Sequence, residues 1–174
     1  MNKTIEDILQ RRSVRKYNDK MVSKEDLETI VKAASYAPSA MNCQPSIVLV
    51  VQQPELLEKL RRLNATSVGQ PYERDNFYGA KTVLVVLADK NNARRVYDGT
   101  LVMSNIMLAA QSLGISSCWI HRAKETFETE EGKQILKDLG IEGEYEGIGN
   151  CILGYSDDKP EAKPRKENFA WYVL

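Results

Sequence analysis

Apolar positions along the chain follow two regimes: stripes at helical spacing, and short unbroken runs. Leu27, Ile30, Val31 and Ala34 form one stripe. It follows the capping box Ser23-Lys24-Glu25-Asp26, so a helix is predicted from there to about Tyr36, where Pro38 stops it. Leu56, Leu57, Leu60 and Leu63 make the inner face of a helix opened by Pro54 and ending near Leu63. The longest pattern covers 95–113, where Leu101, Val102, Met103, Ile106, Met107, Leu108, Ala109 and Ala110 are apolar nearly all round. Such a helix is buried on most faces, in the domain centre or at a subunit interface, and Gly114 closes it. Shorter helices are predicted after Thr4 as N-cap, to Gln10, and from Thr129 to Gly140. The unbroken runs 47–51, 81–88, 115–120 and 148–155 read as buried strands.

Three stretches carry no period. Residues 37–45 are bounded by Pro38 and Pro45; residues 64–79 are polar and turn-rich, which predicts a mobile loop. Residues 156–174 end in Phe169-Ala170-Trp171-Tyr172, rings that call for a surface to dock on, such as a second subunit. No repeat or linker interrupts the chain, so residues 1–174 are expected to form one α+β domain with 156–174 as its tail.

Composition narrows the partners. The 174 residues are 43% hydrophobic and 28% charged, with 24 basic and 24 acidic side chains. A zero balance argues against a nucleic-acid binder. The first ten residues lack an apolar signal core, and the run 101–110 is broken by Ser104 and Asn105 and is too short for a bilayer. Cys43, Cys118 and Cys151 are isolated thiols that offer, with the single His121, neither zinc spacing nor a CxxC pair. They suit a reducing cytoplasm, each as a small buried hydrophobe.

The densest chemistry is Arg11-Arg12-Ser13-Val14-Arg15, just past the first helix. In extended chain alternate side chains share a face, so Arg11, Ser13 and Arg15 can converge while Arg12 and Val14 point elsewhere. Two guanidinium forks and a hydroxyl make a phosphate receptor. Taken alone, such a cluster is more often a solvated basic turn. The loop from Pro38 offers Ser39, Asn42 and Gln44 as uncharged donors and acceptors, suited to a polar heterocycle or to an ordinary connection. Gly147-Ile148-Gly149 fails the dinucleotide fingerprint because Ile152 stands at the third glycine, and neither a Walker loop nor a Gly-x-Ser-x-Gly elbow occurs. Acid–base chemistry is not advertised, and a cofactor would carry any reaction.

Taken in order, the arginine cluster, the 37–45 loop, Ser117-Cys118-Trp119-Ile120, Ile152-Leu153-Gly154-Tyr155 and Lys163-Pro164-Arg165 resemble the FMN-dependent nitroreductase family over nearly the whole chain. The resemblance implies a three-layer α/β/α sandwich with a mixed, mostly antiparallel sheet. It also implies an intertwined homodimer with exchanged tails and FMN at the interface. Carried over, Arg11 and Ser13 hold the phosphate with Lys163 and Arg165, Arg12 contributes by backbone or side chain, and Arg15 sits at the pyrimidine edge. Pro38, Ser39, Ala40, Met41, Asn42 and Gln44 of the partner line the ring. Trp119, Ile120 and His121 fall near flavin N5, and Asn76 is a candidate at the ring edge. The expected activity is hydride transfer from NADH or NADPH through FMN to a small planar acceptor such as a nitroaromatic or quinone, by alternation. Open beside it are a non-enzymatic FMN-binding protein and a flavin-fold enzyme of specialised chemistry, such as dehalogenation or flavin destruction. The chain is shorter than many members of the family, with little room between Gly114 and Gly140 for a covering helix.

Overall fold

The computed structural model describes residues 1–71, 73 and 75–174. Its elements in order are α1 (Lys3–Gln10), α2 (Lys24–Ser35), a 3-10 turn (Ala40–Asn42), β1 (Ser46–Val51), α3 (Pro54–Thr66), β2 (Thr82–Asp89), α4 (Arg95–Ser112), β3 (Ser116–Ile120), α5 (Ala123–Glu128), α6 (Glu130–Asp138) and β4 (Tyr145–Gly154). Ser23 caps α2 as its box predicts: its Oγ accepts from Asp26 N at 3.1 Å and donates to the Asp26 carboxylate at 2.7 Å.

Three local expectations need correction, and one helix, α5, goes unpredicted. Asn2, not Thr4, caps α1, its side chain accepting from Thr4 N. α3 runs on to Thr66, so Asn64 is a buried helical residue rather than the start of a loop. β4 begins at Tyr145, because Glu146 pairs opposite Ala88 and its carboxylate is neutralised by Arg95 at 2.8 Å. α5 has no periodic signal in six residues; it forms because Ala123 and Phe127, one turn apart, pack into the core.

The four strands pair antiparallel in the order β1-β2-β4-β3. The parallel component is one isolated bridge, Ser13 to Ser117, which lays the arginine segment along the outer edge of β3. β2 is covered on both faces. Val83, Val85 and Leu87 belong to a core with Leu60 and Leu63 of α3, Phe127 of α5 and Ile135 of α6. Leu84 and Val86 pack instead with Leu27, Ile30 and Ala34 of α2 and Met103, Ile106 and Ala110 of α4. Side-chain alternation along one strand thus feeds two cores and produces the three layers.

Two glycines permit close approaches across the sheet. A bulge between Val86 and Leu87 leaves Ile148 unpaired on β4, and a Cβ on Gly99 would stand 2.6 Å from its side chain. Gly147 lies directly under the Ala123 carbonyl. α4 buries Met103, Ile106 and Ala110 yet leaves Val96, Tyr97 and Leu101 exposed in the single chain. Among the described residues no helix is long and apolar enough to cross a membrane. The tail has no helix or strand, and residues 161–174 are exposed throughout.

Gly147→Ala should cost about 1–3 kcal/mol, because the added methyl meets backbone that cannot rotate away. Urea unfolding should show a lower midpoint at an unchanged slope.

Candidate functional site

The site is built on one sheet edge. Val14 N donates to Ser117 O at 3.1 Å, and Asn18 N donates to Tyr155 O at 2.9 Å, so the segment between them runs beside β3 and the end of β4. Val14 is buried. Tyr17 donates its hydroxyl to Val14 O at 2.7 Å, and its ring lies where a Cβ on Gly154 would stand 2.8 Å away. Extended backbone then puts Arg11, Ser13 and Arg15 around Cys118. Burial pushes the Cys118 thiol up; the Arg15 and Arg11 charges and a hydrogen bond from Ser13 push the other way. Arg12 turns aside, its Nη1 donating to Leu9 O at 2.7 Å and Arg11 O at 2.8 Å at the end of α1.

Arg11 holds the decisive detail. Its Nη1 is buried and makes no hydrogen bond among the described residues. A charged donor withdrawn from water without an acceptor is costly, so this edge has an unmet demand for an anion. Ser117 Oγ and Trp119 Nε1, further along β3, are buried and unpartnered as well.

The far end of β3 is held by a chain of amides. Asn64 donates to His121 O at 2.7 Å, and Asn150 reaches the same carbonyl at 3.3 Å and Ile120 O at 3.4 Å. Asn76 donates to Asn64 Oδ1 at 3.2 Å, which brings it to the strand end. Trp119 covers Gly149, where a Cβ would lie 2.5 Å from the indole nitrogen, and its ring centroid is 6.0 Å from that of His121. His121 itself is exposed. Arg122 follows in left-handed backbone, φ 77°, and its Nη1 donates to Gln70 Oε1 at 2.9 Å. The Arg15 guanidinium lies 6.0 Å from the centre of the Tyr78 ring, so the Asn76 turn and the arginine segment share one side of the molecule.

Asn64, Asn150, Tyr78 and Arg122 were not singled out from sequence. Asn64 would have been found had the Leu56–Leu60–Leu63 stripe been extended one residue; the others depend on strand register.

The Pro38–Pro45 loop lies elsewhere. It leads into β1, the opposite edge of the sheet, and Asp89 N donates to Pro45 O at 2.9 Å. Pro38, Ser39 and Gln44 line a cleft of about 190 Å³ with Asp98 and Val102 of α4. Met41 is 84% exposed. One chain therefore joins Arg11, Ser13, Arg15, Asn76, Trp119, Ile120 and His121, and leaves Pro38, Ser39, Ala40, Met41, Asn42 and Gln44 across the sheet. Lys163 and Arg165 are exposed on the tail. The tail starts near the cationic edge, since Ser156, Asp158, Lys159 and Pro160 share a cleft of about 400 Å³ with Arg12 and Val14.

Fold and edge chemistry together define a three-layer α+β protein with an arginine-rich segment beside an edge strand. The model of the nitroreductase family matches residues 8–155, and the chain belongs to that family. A nitroreductase from Bacteroides fragilis, solved with bound FMN, superposes with a TM-score of 0.90 at 28% identity, covering 100% of both chains. A protein of Archaeoglobus fulgidus provisionally named NADH dehydrogenase/NAD(P)H nitroreductase is 34% identical over 97% of this chain and 94% of its own length. An FMN reductase [NAD(P)H] of Bacillus subtilis is 26% identical over 95% of this chain and 70% of its own.

Cys43 is exposed whereas Cys118 and Cys151 are buried, and burial pushes both buried thiols up, as it does the Tyr17 phenol. Groups whose folded pKa is raised stabilise the fold fully below the unfolded value, near 9.0 for a thiol. Above that pH the unfolded chain sheds the proton and the native one keeps it, so stability falls as pH rises. One thiol should react rapidly with a disulfide reagent in native buffer and three in denaturant, and the urea midpoint should drop between pH 8.5 and 10.5.

Proposed function

We propose that this protein is an FMN-dependent oxidoreductase that takes hydride from NADH or NADPH and passes it to a small planar acceptor, a nitroaromatic or quinone, by alternation at one site. The observation that carries the reading is the buried, unpaired Nη1 of Arg11 beside the Ser13–Ser117 bridge. A phosphate monoester is the anion that two guanidinium groups and a hydroxyl fit best. The FMN in the Bacteroides fragilis relative supports the same cofactor here.

When bound, FMN supplies an N5 atom that accepts and returns hydride. The chain supplies the rest. Arg11 and Ser13 hold the phosphate, and Lys163 and Arg165 reach it from the tail. Arg12 contributes through its backbone, since its side chain is committed to the carbonyls ending α1. Arg15, exposed and beside Tyr78, puts a cation at the pyrimidine edge and favours the ring form that carries negative charge there. Trp119, Ile120 and His121 offer the strand end against which the ring's central atoms lie, and Asn76 adds an amide at its margin. His121 is assigned no proton transfer.

The opposite-edge position of the Pro38–Gln44 loop supports a homodimer in which Pro38, Ser39, Ala40, Met41, Asn42 and Gln44 of one copy close the site of the other. The exposed tail, with Phe169 at 87%, Trp171 at 84% and Tyr172 at 82%, supports docking of residues 156–174 on that second copy. Three unpaired thiols are in keeping with a cytoplasmic location.

The direct test is an absorption spectrum of the purified protein, repeated after anaerobic addition of NADH and of NADPH. The expected result is a flavin band bleached by at least one nicotinamide and restored by a quinone. A colourless preparation that takes up no added FMN would end the proposal. Arg11→Ala should weaken FMN binding by about 1.5–3 kcal/mol in a fluorescence titration, the loss of one charge-assisted contact. Truncation after Pro160 should lower both FMN retention and the dimer fraction in analytical ultracentrifugation.

A further inference from the structure

The loop from Ser39 to Gln44 is in an expensive conformation. Met41, Asn42 and Gln44 all have left-handed φ, at 53°, 54° and 44°. Non-glycine residues persist there only when their surroundings over-determine them. Within the loop Gln44 N donates to Ser39 Oγ at 3.0 Å and Gln44 Nε2 to Asn42 Oδ1 at 2.9 Å. Those bonds move with the loop and cannot hold it to the body of the protein.

Two residues in and beside α4, Asp98 and Asn92, do. Asp98, in the first turn of the helix and only 5% exposed, accepts the Ala40 N–H on Oδ1 at 3.1 Å and faces the Cys43 thiol with Oδ2 at 3.9 Å. Asn92 donates to Cys43 Sγ at 3.0 Å. The platform is itself fixed: Arg95 clamps Glu146 of β4 through Nε at 2.9 Å and Nη2 at 2.8 Å, and donates to Asn92 O at 3.3 Å. A carboxylate near a helix N-terminus is also favoured by the helix dipole. Sheet, helix and loop are thus connected in one polar chain.

We infer that Asp98 is a positioning residue for the cofactor, holding the Ser39–Gln44 loop by the Ala40 amide in the shape that closes over FMN. The inference rests on the proposed function, in which this loop lines the flavin of a second copy. Asp98 acts through the loop and touches no reacting group. Its job needs an acceptor at Oδ1, which asparagine can supply and alanine cannot.

The test compares Asp98→Ala with Asp98→Asn in two assays. In FMN-free protein, alkylation of Cys43 by iodoacetamide should speed up at least threefold in Asp98→Ala and stay within twofold in Asp98→Asn, because a released loop frees the already exposed sulfur from its Asn92 and Asp98 contacts. In FMN titrations Asp98→Ala should raise the dissociation constant at least tenfold, with altered visible circular dichroism of bound flavin. Asp98→Asn should restore both. If Asp98→Ala does not fold, Ala40→Pro carries the test: it deletes the same N–H, Ser39 already has the extended backbone that precedes proline, and it should weaken FMN equally. Wild-type behaviour of Asp98→Ala or Ala40→Pro in both assays overturns the inference, as does an Asp98→Asn defect equal to that of alanine. Weak FMN binding by Arg11→Ala with normal binding by Asp98→Ala overturns this inference alone. A wild-type protein that takes up no FMN overturns the site reading and this inference together.

Discussion

The arrangement depends on a short stretch of backbone docking: Val14 N–H on Ser117 O, beside the Ser13–Ser117 bridge. Without it the arginine cluster is a flexible basic turn with its side chains in water. With it, residues 11–18 become a rail along β3, Val14 is buried, and Arg11, Ser13 and Arg15 are brought to Cys118. Backbone hydrogen bonds fix position more tightly than side-chain contacts, since they leave no rotamers to average over. Strand alternation then turns Arg11, Ser13 and Arg15 the same way.

Burial leaves the polar atoms of that cluster incompletely paired. Arg12 spends its Nη1 on carbonyls of the first helix, while its Nε and the Nη1 of Arg11 are out of water with no hydrogen-bond partner among the described residues. Leaving such a donor open costs stability, and a fold tolerates that where a ligand completes the bond. The loop at the other edge carries three residues in left-handed conformation, and their neighbours Ala40 and Cys43 contact Asp98 and Asn92. Both strained features lie at the margins of a sheet whose central strand is buried almost throughout. The core supplies the rigidity and the edges use it.

Membership in the nitroreductase family follows from the match over residues 8–155, and the structure explains why its motifs are so far apart in sequence. The strand order β1-β2-β4-β3 sends the proline-bounded loop to one edge and the arginine segment to the other. No single chain of this topology can bring them together across the sheet. The apolar side of α4 at Val96, Tyr97 and Leu101 and the aromatic tail are exposed in the single chain.

Sequence alone determined those things that depend on near neighbours: the Ser23 box that starts α2, the stripe of α3, the four strand runs, though β1 at the sheet edge is only half-buried, and the alternation that separates Arg11, Ser13 and Arg15 from Val14. Each follows from spacing along a helix or strand, which a chain carries in itself. Tertiary structure decided what depends on register and through-space contact. Asn64 became a clamp on His121 O because α3 extends to Thr66; α5 exists because Gly147 leaves room beneath Ala123; and Asp98 meets Ala40 across 58 positions of sequence. No local rule contains those meetings, because they are set by how the sheet stacks its helices, and a displacement of one residue in any strand would turn each partner to the opposite face.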